Sequence, residues 1–127
     1  MLKTKAEVMK DVGKTLRRKI ELYKLEIVED DIGAQYPEWV HWKTLRAERS
    51  DLWGQEYYAA KSAGEENTLV FTVRYVPFID KINTVEYQVK FEGKYYDIKH
   101  IDYLQDGGQW VKIKALERGE RGGGENG

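Results

Sequence analysis

The chain has 127 residues, of which 41% are hydrophobic and 34% are charged, and this balance suits one globular domain rather than a disordered chain. It contains no cysteine, which excludes disulfide frameworks, thiolate zinc sites and cysteine nucleophiles. Its formal net charge of −1 is unlike the basic domains that usually bind nucleic acids. No apolar run approaches the roughly 20 residues of a membrane span, and the N-terminus lacks the apolar core of a signal peptide, so we expect a soluble cytoplasmic protein.

The charges are unevenly distributed along the chain. Residues 1–20 carry seven Lys or Arg residues against two carboxylates, and residues 21–40 carry six carboxylates against one lysine. Opposite lobes on one molecule could attract neighbouring copies head to tail. The alternative interpretation is that both segments are simply solvated.

The N-terminal part of the chain predicts an extension followed by a strand. Residues 1–13 form the extension, and the helical spacing of its apolar residues, ending at Gly13, indicates a possible short N-terminal helix. Leu16–Glu29 predicts the first strand. Its apolar alternation changes phase near Leu22 and Tyr23, which indicates a bulge of the kind that lets a sheet curve into a barrel.

An acidic turn and a loop reaching to Pro37 precede the second strand, which is predicted over Trp39–Arg49. Both faces of this strand carry aromatic side chains, so we expect one face to be covered by a neighbouring subunit. Gly54–Lys61 then predicts one helix of about two turns. A helix this short is not stable alone and must dock on the sheet or on a partner.

The C-terminal half of the chain predicts a third strand, a β-hairpin, a last strand and a tail. Thr68–Tyr75 alternates as a strand that Pro77 ends, with a connecting loop after it, and Thr84–Ile101 reads as a hairpin about a Glu92-Gly93 turn. A two-residue turn at this position predicts the register of the hairpin, which pairs Phe91 with Lys94 next to the turn and Val85 with His100 furthest from it. Trp110–Leu116 predicts the last strand, and the glycine-rich residues 117–127 are expected to be disordered.

These elements predict a mainly β protein. The expected architecture is a small six-stranded antiparallel β-barrel, arranged as a meander, with one short helix inserted between the second and third strands. The single domain is predicted to span residues 14–116.

No catalytic or cofactor chemistry is predicted. His41 and His100 each stand alone on a strand, without a second ligand at metal-binding spacing. The carboxylate pairs at residues 30–31 and 65–66 lie in polar turns, where they are solvated. A phosphate-binding or dinucleotide-binding glycine pattern is missing. An enzyme is therefore the least supported class, and we expect no metal and no cofactor.

A nucleic-acid-binding barrel is the alternative function. Arg17, Arg18 and Lys19 stand near Tyr23, and Lys112 and Lys114 stand beside Trp110; small barrels bind single strands with such basic and aromatic surfaces. The competing interpretation is an ordinary alternating strand with its charged face in water.

Several motifs in a fixed order resemble the phage head–tail joining family, also called head completion, head closure or stopper proteins. They are Leu-Arg-Arg-Lys-Ile at residues 16–20, a tryptophan strand ending Ala47-Glu48, Gly-Gln-Glu-Tyr-Tyr-Ala-Ala at residues 54–60, the strand end Val73-Arg74-Tyr75, and the hairpin Phe-Glu-Gly-Lys-Tyr-Tyr-Asp-Ile at residues 91–98. The likeness covers about residues 14–116.

The resemblance implies a structural protein that forms a ring beneath the portal, closes the DNA channel after packaging and provides the tail attachment surface. The implied partners are further copies of itself, with a dodecamer expected, the portal-adaptor protein above and the tail completion protein below. Packaged DNA would pass through without sequence-specific binding, and no membrane is involved. The implied location is the virion connector, of a phage or prophage, with assembly in the host cytoplasm.

The resemblance also suggests two sets of site residues. The channel-facing loop would contain Gly54, Glu56, Tyr57, Tyr58, Lys61, Glu65 and Glu66. The subunit interface would contain Arg17, Arg18, Lys19, Trp39, Trp42, Arg74 and Tyr75. The carboxylates of the loop would let DNA pass without sticking, because like charges repel phosphates.

Overall fold

A computed structural model describes residues 16–104 and 109–118 of the chain. Within them lie six strands, one α-helix and one short 3-10 helix. Their bounds are β1 Arg18–Glu29, β2 Gln35–Asp51, α1 Gln55–Ser62, β3 Leu69–Arg74, the 3-10 helix Pro77–Lys81, β4 Tyr87–Phe91, β5 Lys94–Tyr103 and β6 Trp110–Glu117. The predicted N-terminal helix lies outside the described residues, as do residues 119–127 of the predicted tail.

The strands close into an antiparallel barrel in the order β1-β2-β3-β6-β5-β4, with β4 paired to β1. The predicted six-stranded barrel is therefore confirmed, but the predicted meander is wrong, because β3 pairs with β6 rather than with β4. The segment after β3 is the cause. It forms the 3-10 helix instead of an open loop and buries Ile79 and Ile82, so the chain packs across the core before β4 begins.

The predicted bulge is confirmed. The register between β1 and β2 shifts between Leu22 and Tyr23. Leu22 faces Lys43 and Tyr23 faces His41, so Trp42 is the extra residue on β2. Such a bulge re-aims a side chain and increases the local twist.

The bulge changes the role of Trp42. Its ring packs against the core, 5.3 Å from the ring of Phe78 and 5.0 Å from that of Tyr87. This residue, which was predicted for the subunit interface, is therefore half-buried against the core of its own barrel.

The barrel interior is filled by alternating side chains from all six strands. Its most deeply buried large members are Phe71, Ile20, Leu22, Ile79, Ile98 and Ile113. Each is worth about 1.5–3 kcal/mol of transfer free energy when fully buried. In β3, Val70 and Thr72 on the opposite face are buried as well, so this strand is covered on both sides.

The β1–β2 hairpin extends past the barrel. The pairing of β4 with β1 covers Glu21–Lys24, and that of β3 with β2 begins at Ala47, which leaves residues 25–39 as a two-stranded arm. The predicted loop to Pro37 is instead part of β2. The tip is a tight turn, in which Asp30 Oδ1 accepts the amide hydrogens of Ile32 at 3.0 Å and Ala34 at 2.9 Å.

The β4–β5 turn is confirmed, with positive φ at both Glu92 (51°) and Gly93 (81°), as a two-residue hairpin turn requires. Phe91 pairs with Lys94 and Val89 with Tyr96, as predicted. The pairing predicted further out, at Val85, is wrong: Asn83 Oδ1 accepts the amide hydrogens of Val85 and Glu86 in a turn, and Val85 is 74% exposed.

The last strand is one residue longer than predicted. It continues to Glu117, and the amide of Arg118 then donates to the carbonyl oxygen of Tyr95 at 2.9 Å. The Arg118 guanidinium also binds Asp97 at 3.0 Å. These contacts order the first two residues of the segment that composition had assigned to a disordered tail.

Candidate assembly surfaces

The described residues contain no group of three or more His, Cys, Asp or Glu side chains that could hold a metal ion. Among those same residues, no helix is both long enough and apolar enough to cross a membrane. The barrel presents exposed aromatic side chains, charged side chains and a cleft.

The most exposed aromatic surface lies on the segment between β2 and β3, residues 52–68, which we call the α1 excursion. Trp53 is 81% exposed and Tyr58 is 68% exposed, and none of the residues of α1 is buried. The rings of Tyr57 and Tyr58 meet edge to face at 5.4 Å. Exposed Trp and Tyr side chains are typical of protein interfaces, since they combine large apolar area with a polar group.

The α1 excursion is attached to the barrel by charge. Lys114 on β6 donates to Glu56 Oε2 at 2.5 Å, and Lys99 on β5 lies 3.3 Å from Glu65 Oε2. The hydrogen bond from Lys114 lowers the pKa of the Glu56 carboxyl below its ordinary value. Two of the three acidic residues predicted to face DNA are thus paired with lysines of the same chain.

The C-terminal end of α1 is tied down by its own backbone. The amide of Glu65 donates to the carbonyl oxygen of Ala60 at 2.8 Å, and the hydroxyl of Thr68 donates to the carbonyl oxygen of Glu65 at 2.7 Å. Gly64, with φ at 76°, supplies the left-handed conformation that ends the helix. The excursion therefore forms a compact structure within a single chain.

A cleft of about 520 Å³ lies beside this end of the excursion. It is lined by Tyr57 and Glu66 of the excursion, by Lys94 and Tyr96 of β5, and by neighbouring residues of β2 and β6. Glu66 Oε1 is buried with no hydrogen-bond partner among the described residues. An unpaired buried carboxylate oxygen is costly, so the cleft favours a hydrogen-bond donor there.

The seven residues predicted for the channel-facing loop lie together on the α1 excursion. Gly54, with φ at 68°, precedes the helix, and Tyr57, Tyr58 and Lys61 lie on it with Glu56. Glu65 and Glu66 follow it. The sequence reasoning missed Trp53, although a tryptophan directly before a glycine in a polar connection is a signal that could have found it.

The residues predicted for the subunit interface are spread over the barrel. At the start of β1, Arg17 and Lys19 are exposed, while Arg18 forms an ion pair with Glu92 and lies 5.1 Å from the ring centre of Phe91. Arg18 therefore fastens β1 to the β4–β5 turn.

The other predicted interface residues make contacts within the chain. The Arg74 guanidinium lies 4.7 Å from the ring centre of Trp110, and the Tyr75 hydroxyl donates to Asp80 Oδ2 at 2.6 Å. The Tyr103 hydroxyl donates to the other oxygen of Asp80 at 2.9 Å. Burial and this hydrogen bond raise the pKa of Tyr103 to about 12. Trp39 lies half-buried on the arm.

Several of the basic and aromatic side chains that suggested nucleic-acid binding already contact other residues of the same chain. Lys114 is paired with Glu56 and Arg18 with Glu92, and Arg74 covers Trp110. The β1 group and the β6 group are also separated by β2 and β3 in the strand order.

The fold defines a protein of the small closed β-barrel class, with an exposed aromatic excursion and a projecting arm. The family model described as phage head completion protein matches residues 13–118, which is most of the chain. The chain therefore belongs to the phage head completion protein family, a family of structural phage head proteins rather than of enzymes. The suspected resemblance is confirmed.

A solved structure shares the fold, and a second one is reported beside it. The solution structure of protein SF1141 from Shigella flexneri 2a is 22% identical, with a TM-score of 0.62, and the match covers 84% of this chain and 96% of that one. A chain from the virion of a native gene transfer agent particle is 17% identical, with a TM-score of 0.49, over 80% of this chain and 94% of that one. The comparison with curated proteins gives no match.

Proposed function

We propose that this protein forms a ring beneath the portal, closes the DNA channel after packaging and offers a surface for tail attachment. Membership of the phage head completion family supports a structural role in the phage head. The observation that carries the finer proposal is the α1 excursion, a helix with no buried residue that presents Trp53 and Tyr58 to solvent. A marginal helix of eight residues held in this way suits a contact that is completed by a partner.

The partners follow from this proposal. Further copies of the chain would make the ring, a dodecamer by family resemblance, with the portal-adaptor protein above it and the tail completion protein below. The barrel would occupy the virion connector after assembly in the host cytoplasm. Packaged DNA would pass without sequence-specific binding, in keeping with the engagement of Lys114 by Glu56, of Arg18 by Glu92 and of Arg74 by the ring of Trp110.

We assign the α1 excursion to the channel side of the ring. Its lysine-paired carboxylates, Glu56 and Glu65, carry little net charge toward DNA. Closure would then depend on the exposed rings rather than on repulsion by the acids, because Trp53 and Tyr58 offer the apolar area with which neighbouring copies could meet across the channel.

The experiment adds the purified protein to DNA-filled heads that carry the portal and adaptor but no head completion protein. The protein should associate with the connector and prevent DNA leakage, measured as nuclease-sensitive DNA. A Trp53→Ser, Tyr58→Ser variant should still associate but should retain DNA poorly. Val85→Ser, which removes an apolar side chain that is 74% exposed elsewhere, is the matched control and should behave as the natural protein.

Failure of the natural protein to associate with such heads would refute the ring beneath the portal. Association with full DNA retention by the Trp53→Ser, Tyr58→Ser variant would leave the ring standing and remove the excursion from the closure mechanism.

A further inference from the structure

The β1–β2 ladder carries two pairs of like charges that face each other directly across the strands. At the barrel end, Lys19 is opposite Arg46; on the arm, Glu26 is opposite Glu38. All four side chains are exposed, and none forms an ion pair with another described residue. Like charges directly opposite each other destabilise a strand pair, so this ladder is strained electrostatically at both ends, with opposite signs.

Each pair belongs to a larger field of its own sign. The arm, residues 25–39, contains five carboxylates and no Lys or Arg. At the barrel end, Arg74 lies beside Arg46 and extends the group of positive charges. Ala47 pairs with Val73, and in antiparallel strands the residue before Ala47 lies opposite the residue after Val73. We call Glu26 and Glu38 the acidic pair, and Lys19, Arg46 and Arg74 the basic strip. Glu21 and Glu48 flank the strip on its own strands.

One copy cannot bring its acidic pair to its own basic strip. Ile20 and Leu22 are fully buried, so Lys19 points to the outer face of the barrel, while Glu26 lies on the face that Ile20 and Leu22 share. Seven residues of strand separate Lys19 from Glu26, which is roughly 24 Å at 3.4 Å per residue. The two patches lie on opposite faces and at different ends of one ladder.

The arm is preformed for contact with a partner. Its turn is fixed by the two hydrogen bonds to Asp30 Oδ1. The amide of Leu25 still donates to the carbonyl oxygen of Glu86 at 2.8 Å, but beyond it the outer edge of β1 has no ladder partner among the described strands, and neither has that of β2 before Ala47. An isolated two-stranded hairpin is only marginally stable, and Ile27 and Ile32 are 66% and 87% exposed on this one.

We infer that the arm of one copy docks its acidic pair on the basic strip of the next copy, in a repeating head-to-tail contact. Such a contact is heterologous, since one patch meets a different patch, and heterologous contacts close into rings when the rotation allows it. Docking relieves both like-charge pairs at once. The inference rests on the proposed ring and assigns the surfaces that would join its subunits.

The test exchanges the charges. An arm-reversed variant carries Glu26→Lys and Glu38→Lys, and a barrel-reversed variant carries Lys19→Glu and Arg46→Glu. Each reversal keeps a like-charge pair within the hairpin and makes the contact between copies repulsive. Reversal at the barrel end also places new carboxylates beside Glu21 and Glu48, so its folding must be verified separately. Each variant alone should self-associate about tenfold more weakly than the natural chain in sedimentation velocity at low salt. Circular dichroism and melting verify that each variant is folded.

Complementary combinations should restore the association. In an equimolar mixture, the reversed arm of one variant meets the reversed strip of the other. In a single chain with all four changes, the exchanged residues are complementary again, and only Arg74 of the strip keeps its original charge. Both should associate like the natural chain. Added salt should weaken the natural association, because the Debye length falls from about 8 Å at physiological ionic strength to about 3 Å at 1 M.

Net charge alone is tested by a control variant with Asp51→Lys and Glu117→Lys, which changes the charge as much as arm reversal does but at exposed sites away from the acidic pair. Combined with barrel reversal in one chain, it has the natural net charge without complementary patches and should stay weakly associated. If it associates as well as the fourfold reversal, the inference is overturned.

The inference also fails if the natural chain does not self-associate at low salt, or if the single reversals associate as well as the natural chain. Neither outcome decides the proposed function, because that is judged by binding to portal-bearing heads and by DNA retention. Loss of association in both reversals, with recovery only in the complementary combinations, would support the head-to-tail contact.

Discussion

Removing the two carboxylates that attach the α1 excursion should make this segment open more often without unfolding the barrel. The change is Glu56→Gln with Glu65→Gln, which leaves Lys114 and Lys99 without their ion pairs. Because α1 buries no side chain, these pairs supply much of its attachment. Partly exposed ion pairs are worth about 0.5–1 kcal/mol each, so about 1–2 kcal/mol is lost. That corresponds to roughly 5- to 30-fold faster opening.

Hydrogen exchange measured by mass spectrometry at neutral pH gives the readout. Peptides covering residues 55–66 should exchange faster by that factor, while those from β3 and β6 should be unchanged. Glu117→Gln is the matched control, since it breaks the ion pair with Lys94 at 3.9 Å between neighbouring strands and leaves the excursion alone. Unchanged exchange in α1, or an equal increase across the barrel strands, would refute the reasoning.

The attachment of the α1 excursion to the barrel should weaken at acidic pH. The hydrogen bond from Lys114 lowers the pKa of Glu56 below its ordinary value of 4.5 in the folded chain. The attachment is therefore present above pH 4.5 and is lost as the pH falls through the lower folded value. After correction for the intrinsic pH dependence of amide exchange, the amides of α1 should exchange faster in that acidic range. The Glu56→Gln variant should lack the part of this pH dependence that comes from Glu56.

Three further predictions concern the barrel itself. Trp42→Ala should lower the free energy of unfolding in urea by about 2–3 kcal/mol, because its ring packs on the core, whereas Trp53→Ala should change it by less than about 0.5 kcal/mol; equal losses would contradict the packing role. Asp80→Asn should lower the pKa of Tyr103 from about 12 toward 10 in an ultraviolet titration. Since the raised pKa favours the neutral ring, its contribution to stability is present below about pH 10 and is lost as the pH rises through about 12, and an unchanged titration would remove Asp80 as a cause. Gly93→Ala should cost about 1 kcal/mol, seen as a lower melting temperature, because φ at Gly93 is 81° even though no atom lies within 4 Å of the added carbon; an unchanged melting temperature would contradict this.

Much of the fold could be predicted because its signals are local. The Glu92-Gly93 turn sets the register of the β4–β5 hairpin, since two positive φ values leave one way to connect the strands. The change of phase at Leu22 and Tyr23 marked the position of the register shift, although the extra residue of the bulge is Trp42 on the neighbouring strand β2. The short helix over Gly54–Lys61 could be predicted because Tyr57, Ala60 and Lys61 fall on one side of a helix.

The fold brings together only one of the two predicted sets of site residues. The seven residues predicted for the channel-facing loop lie close together because they are contiguous in the chain. The predicted interface residues were not brought together, because their role depends on which strands become neighbours. Arg18 and Arg74 looked like free cations in the sequence, but the barrel places Glu92 beside one and the ring of Trp110 beneath the other.

The amino-acid sequence by itself determined that the chain is a six-stranded barrel with a short helix between the second and third strands, because alternation, turns and a bulge are properties of neighbouring residues. Only the tertiary structure decided the strand order, in which the 3-10 helix after β3 packs Ile79 into the core and β4 closes the barrel by pairing with β1. It also decided that Trp42 turns inward and that residues 25–39 project as an acidic arm. These features depend on where partner strands begin and end, and that depends on long-range packing rather than on local pattern.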